Sequence, residues 1–222
     1  GFYFDLISNK NRPLHFLYPH EKSNDPAHEQ KPSHKFSRDV AELHLFSKDR
    51  EKPFLIFLLA HLKSRLDPEN IDPNGSARRQ AELNTLVEIY LETERKNNSK
   101  VPIIVAGDFN GNASHRKTDV EFKSLYEKTT LKDVCQLADL SEENSATYYQ
   151  VARNSRTEGR QIDYAFLNNQ AEKLLNKKTV FIYRYKDPRG LPFDPPSTLD
   201  AKLQLPSDHY PVVFELVQVE IF

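Results

Sequence analysis

The sequence predicts an α/β protein, and three observations carry that reading. Short apolar runs of strand length recur along the chain, with Phe54–Ala60 the longest. They alternate with helical segments, of which the one starting at Ser76 is the most periodic. The connections between them are long, polar and rich in proline, and no composition break divides the 222 residues, so one domain over 1–222 is expected.

Taken in order, Asn9 to Ser37 is rich in Pro, His, Lys, Glu and Asn without a stable period. It reads as a long loop, substrate-facing or partly disordered. A strand is expected from Arg38, with Val40, Leu43 and Leu45 as its apolar positions. The run through Ala60 stops abruptly at His61, and an unbroken apolar stretch suits a strand buried on both faces. Pro68 to Gly75 is rich in turn formers. From Ser76, a candidate N-cap, Ala81, Leu83, Leu86, Ile89 and Tyr90 fall near helical spacing, and basic and turn-forming residues at Lys96–Lys100 close the helix. Val101–Ala106 is a second buried strand, running into Gly107-Asp-Phe-Asn110. Helices are expected over Val120–Lys128 and near Lys132–Leu140, and strands over Gln161–Leu167 and Thr179–Tyr185. A proline-rich loop from Lys186 to Pro206 leads into Ser207-Asp-His-Tyr-Pro211 and a last strand over Val212–Phe222.

Composition narrows the function. Apolar residues are 38% and charged residues 28%, with 31 Lys+Arg against 32 Asp+Glu for a net charge of −1. No global cationic field is available to draw in nucleic acid, which counts against a wrapping or architectural DNA binder but not against an enzyme that handles phosphate locally. The single Cys135 excludes an intramolecular disulfide framework and a Cys-rich zinc site. The longest apolar run is far short of the ~20 residues that span a bilayer. Gly1-Phe-Tyr-Phe-Asp5 lacks a basic n-region, and there is no methionine anywhere. The expectation is a protein without a membrane span, cytoplasmic or secreted, whose chain starts partway through a longer gene product, with removal of an initiator as the plainer alternative.

The polar residues that matter lie at the ends of the apolar strands. His61 follows one run, Asp108 and Asn110 follow another, Asp163 sits inside a third, and Asp208 and His209 precede the last. Side chains at strand ends converge on one crevice in layered α/β proteins. Carboxylates, imidazoles and an amide converging there would hold a hard divalent cation and act on a phosphoryl group. Each alone has a plain reading: an edge histidine, a turn at Gly-Asp-Phe-Asn, a loop at Ser-Asp-His. Asp163 is harder to dismiss, because a carboxylate in an apolar strand needs a partner.

His61-Leu-Lys-Ser64, Gly107-Asp-Phe-Asn110, Arg160-Gln-Ile-Asp-Tyr164 and Ser207-Asp-His-Tyr-Pro-Val212 together resemble the endonuclease/exonuclease/phosphatase superfamily, in family order from about Phe36 to the end. The resemblance implies a four-layer α/β sandwich, two mixed sheets face to face with helices outside. It implies that Asp108 orients or deprotonates the attacking water and that Asn110 positions that water or the phosphate. By the same resemblance His209 hydrogen-bonds the scissile phosphate, Asp163 holds its imidazole, and His61 donates to a second phosphate oxygen. Asp208, with Asp108 and Asn110, would belong to a Mg²⁺ or Mn²⁺ site. The family's first strands, one with an Asn and one ending in a metal-binding Glu, have no counterpart before Phe36, and Gly1–Lys10 resembles the strand that follows them.

Lys63 and Arg79 are candidate contacts to substrate phosphate, with Arg38 a similar case, although a helix-start arginine such as Arg79 more often serves the fold. Tyr148, Tyr149 and Arg153 could stack on a base. The histidines at 15, 20, 28 and 34 match no ligand spacing and read as solvated. The string Glu158-Gly-Arg-Gln-Ile-Asp-Tyr164 and the absence of Trp set the chain apart from inositol-phosphate 5-phosphatases. The expected function is a divalent-metal-dependent phosphodiesterase, a nuclease with DNA as substrate and no stable protein partner. A phosphomonoesterase or phospholipid phosphodiesterase, or an inactive binding module that kept the fold, are the alternatives.

Overall fold

The computed structural model describes residues 1–22, 34–48, 51–151 and 157–217. In chain order these form β1 (Phe2–Ser8), β2 (Val40–Ser47), β3 (Leu55–His61), α1 (Ser76–Lys96), β4 (Ile103–Asp108), α2 (Lys123–Lys128), β5 (Lys132–Asp133) and α3 (Val134–Leu137). There follow β6 (Tyr148–Val151), β7 (Thr157–Arg160), β8 (Asp163–Leu167), α4 (Asn169–Leu174), β9 (Leu175–Ile182), α5 (Leu199–Leu203) and β10 (Val212–Leu216). The main sheet has six strands in the order β1-β2-β3-β4-β8-β5, and β9 with β10 and β6 with β7 form two antiparallel pairs. Among the described residues only β3 and β4 run parallel, with α1 as the crossover, so the main sheet is mixed. The α/β class holds and the layers fit the expected sandwich, but the second sheet, expected to be mixed, is among the described residues the antiparallel pair β9/β10.

Both faces of the central strands are covered, which is why their sequences are unbroken apolar runs. Ile56 and Leu58, Ile103 and Val105, and Tyr164 and Phe166 point to a core shared with α1. Their neighbours Leu55, Ile104, Ala165 and Leu167 point the other way, to a core shared with α3, β9 and Tyr210. The period-2 alternation of a strand turns one run into two cores.

Helix α1 runs where its spacing predicts, burying Leu83, Leu86, Val87 and Tyr90 at helical intervals. Its N-terminal cap differs from expectation. Ser76 is the first helical residue and Gly75 occupies the cap position in a left-handed conformation. The orphan amides of Ala77 and Arg78 instead donate to Asp72, at 3.0 and 2.9 Å. A carboxylate four residues before the helix does the work assigned to a cap residue.

Other boundaries move for identifiable reasons. The strand expected over Thr179–Tyr185 is β9, starting at Leu175 directly after α4. Buried Asn168 caps α4 through Ala171 N and accepts from Ile103 N, while its amide nitrogen donates to Val101 O, so the helix starts against β4. The helix near Lys132–Leu140 shrinks to α3 because Lys132 and Asp133 pair with β8. The antiparallel pair β6/β7 is not anticipated from sequence. The last strand ends at Leu216, and 218–222 lie outside the described residues. Of the 9–37 stretch, the ends are pinned: Leu14 and Phe36 are buried, and Leu14 N donates to His34 O at 2.8 Å. His34 is not simply solvated, since its Nε2 meets Glu21 at 2.7 Å, whereas His28 lies outside the described residues.

Candidate active site

Strand register assembles the site. His61 stands opposite Asp108 across β3 and β4, and Asp108 stands opposite Asp163 across β4 and β8. Directly paired residues on adjacent strands share a face, so three residues distant in sequence form one row at one edge of the cores. Gly107 permits this approach. Its φ is +137°, and a Cβ there would lie 1.9 Å from Ala60 O, so only glycine lets β4 pass β3 immediately before Asp108.

Asn110 turns back on the row through a left-handed conformation, φ 53°, which Asn tolerates. Its backbone N–H donates to Asp108 Oδ1 at 2.7 Å, and its side-chain nitrogen donates to Asp108 Oδ2 and Leu62 O, both at 3.0 Å. Asn110 therefore holds Asp108. Arg38 Nη1 donates to the same Leu62 carbonyl at 3.3 Å, which ties the start of β2 to this corner.

His209 comes from the loop before β10. Tyr210 N donates to Thr147 O at 2.8 Å and Tyr185 OH to His209 O at 2.9 Å, so the backbone is fixed independently of the imidazole. The ring reaches Asp163 with Nδ1 2.9 Å from Oδ2. A carboxylate acceptor at Nδ1 makes that nitrogen the protonated one and leaves Nε2 for a substrate. Thr147, fully buried, accepts from Ile162 N and Asp163 N, both at 3.0 Å, and so fixes the carboxylate that orients His209. Nothing in the sequence around Thr147 marks it; its role arises only when the residue before β6 meets the start of β8.

The two histidines are pushed in opposite directions. The hydrogen bond to Asp163 raises the pKa of His209, against the opposing effect of burial. Burial and the nearby Arg38 lower that of His61, whose Nε2 lies 3.3 Å from Asp108 Oδ2. Burial and the neighbouring charge of Asp163 raise the Asp108 carboxyl. Titratable groups held apart in this way suit division of acid and base roles.

Among the described residues, ligand atoms of Asp108, Asp163 and His209 lie within 4.8 Å of one another, a donor set able to hold a cation. Asp208 is not in that set. Its carboxylate is 3.4 Å from Lys202 Nζ, which also donates to Tyr149 O at 3.1 Å and sits 3.6 Å over the Tyr148 ring. Lys63 and Arg79 also turn away. Lys63 Nζ donates to Leu66 O at 2.5 Å and Ser64 O at 3.2 Å, closing its own loop. Arg79 is 1% exposed, with Nη1 on the Lys63 and Asn74 carbonyls and Nη2 on Glu121 at 2.6 Å. Tyr148 stands beside His209 with ring centroids 5.4 Å apart, Tyr149 is buried in the core, and Arg153 lies outside the described residues.

No protein-family model and no curated protein sequence matches this chain. Solved structures do. A truncated TDP2 from Caenorhabditis elegans superposes with a TM-score of 0.51 at 15% identity, over 94% of this chain and 65% of that one. The catalytic domain of human Nocturnin, determined with a bound sulfate anion, gives 0.51 at 17% identity, over 96% of this chain and 60% of that one. The chain has the deoxyribonuclease I-like fold. It spans less than two thirds of the length of either relative. At these identities the likeness concerns the deoxyribonuclease I-like architecture, and the chemistry rests on the row built above.

Behind the row, buried Asp133 accepts from Gln161 Nε2 at 2.9 Å, and burial pushes its carboxyl up to about 6 from 3.8. A folded-state pKa above the unfolded value means the fold binds the proton more tightly, so stability is fullest below about pH 4 and is lost as pH rises through about 6. At roughly 1.36 kcal/mol per unit the loss is about 3 kcal/mol. Asp133→Asn is expected to flatten that decline, leaving the variant more stable than the natural chain at pH 8 and little different at pH 4.5. Paired urea titrations at the two pH values check this.

Proposed function

We propose that this chain is a divalent-metal-dependent phosphoesterase that hydrolyses phosphodiester bonds, with DNA as substrate. One observation carries the reading: His61, Asp108 and Asp163 in register across three strands, closed by His209 on Asp163. The deoxyribonuclease I-like fold, shared with proteins that act on phosphate esters, supports it.

Two adjacent carboxylates with a raised Asp108 pKa are the environment a dication relieves, and hard cations favour carboxylate oxygen. Asp108 and Asp163 would hold Mg²⁺ or Mn²⁺, and the metal would supply Lewis-acid stabilisation of phosphoryl charge. The remaining steps belong to side chains. Asp108, fixed by Asn110, orients a water and accepts its proton. His209, cationic through Asp163, donates from Nε2 to a phosphate oxygen as charge grows there. His61, at the other end of the row, donates to a second oxygen. Asp208 lies outside that donor set, paired with Lys202 at 3.4 Å.

The test is nicking of supercoiled plasmid with Mg²⁺, with Mn²⁺, and with EDTA, beside a panel of phosphomonoesters. Metal-dependent nicking that disappears on chelation is the expected result. Release of phosphate from monoesters without nicking would overturn the diesterase reading, and nicking that survives EDTA would overturn the metal.

A further inference from the structure

A cavity of about 260 Å³ opens beside the row, between the loops that follow β3 and β4 and the strand β7. It is just under the ~300–1,000 Å³ of typical small-ligand sites. Its wall includes Ile162, the residue before Asp163, and Arg65, whose Nε donates to the backbone oxygen of Asn110 at 3.3 Å. The cavity therefore shares a wall with the catalytic corner.

Its charged lining is Arg65, Lys117 and Arg160 against Asp119, Glu142 and Glu158. These anions are not equivalent. Asp119 is committed to the fold, accepting from Asn112 N at 2.9 Å, and is also the partner of Arg65, whose Nη2 lies 3.4 Å from Oδ2. Glu158 accepts from Arg160 Nη2 at 2.9 Å, and its carboxyl is held below the usual range by Arg160, with Lys117 and Arg65 adding to the effect. Of the three cations only Arg160 contacts Glu158, whose side chain is 67% exposed and free to swing into water. An arginine whose exposed partner carboxylate can swing away, with Arg65 and Lys117 on the same wall, is an arrangement an incoming phosphate would enter by exchange.

We infer that the Arg65–Lys117–Arg160 cavity is a second phosphate subsite, closed in the free protein by Glu158 and filled by the phosphate next to the one that is cleaved. The inference rests on the phosphoesterase reading for the cleaved group only. It explains how a chain with net charge −1 would grip a polyanion: through a local cluster whose own counter-ion is removable. It also predicts variants with effects of opposite sign.

The test is binding in EDTA, without turnover, of a dye-labelled trinucleotide with two phosphodiesters and a dinucleotide with one, read by fluorescence anisotropy. Arg160→Ala is expected to weaken the trinucleotide about tenfold, the size of one lost charge-assisted hydrogen bond, and to leave the dinucleotide unchanged. Lys117→Ala should reduce the trinucleotide's salt slope by about 0.7. Glu158→Gln should tighten the trinucleotide by several-fold. Inorganic phosphate that competes with the trinucleotide but not the dinucleotide would show that the cavity takes phosphate from either source. Equal binding of both ligands, unmoved by Arg160→Ala and Glu158→Gln, would overturn the subsite whether or not plasmid is nicked. Selective trinucleotide binding without any nicking would instead keep the subsite and remove the cleavage reading.

Discussion

His209→Ala is expected to lower kcat on a bis-aryl phosphodiester by about 10²–10⁴-fold, the range for losing a positioned acid. The loss should come without unfolding. What anchors this loop is main chain: Tyr185 OH on His209 O, and Tyr210 N on Thr147 O, neither of which involves the imidazole. Asp163→Asn should cost a similar factor for a different reason. An amide at that position keeps the volume but no longer holds the imidazole cationic, since Asp163 is the largest cause of the raised His209 pKa. Because the two side chains act as a unit, the double variant should be little worse than either single one. Full activity in His209→Ala would sink the assignment. An additive double variant would show that Asp163 acts separately, for instance through a bound cation alone.

The sequence made the row readable because its members are polar residues at the ends of apolar runs, where burial without a purpose is expensive. Asp108 and Asp163 are conspicuous for that reason, His61 by standing where the apolar run stops, and register then does the rest. Asp208 was legible as an acidic residue but not in its partner. Lys202 reaches it from α5, a helix that the proline-rich loop conceals. Thr147 was not legible at all, because a threonine acquires its role from two amides supplied by β8, and no local pattern encodes that contact. Boundaries failed for the same kind of reason. The cap of α1 is Asp72, outside the usual cap position, and β9 begins early because Asn168 starts α4 against β4. Periodicity reports which face is buried, whereas long-range hydrogen bonds decide where an element stops.

Arg79 takes the fold-serving role that its place at a helix start favours, and Arg79→Met is expected to destabilise the fold by about 3–5 kcal/mol. Its guanidinium joins α1 to the loop after β3 through Lys63 O, to the turn before the helix through Asn74 O, and to Glu121. Removing it leaves Glu121, only 13% exposed, as a carboxylate without its counter-ion, together with two carbonyls short of a donor. For a chain of this size the melting temperature should fall by roughly 10 °C. Adding Glu121→Leu should recover most of that loss, since a buried pair removed together costs far less than one partner removed alone. The folded Arg79→Met protein, assayed well below its melting temperature, should keep its KM and kcat, because the side chain does not reach the cleft. A raised KM with an unchanged melting temperature would mean that the guanidinium contacts substrate phosphate, and that the residue belongs to catalysis and not to packing.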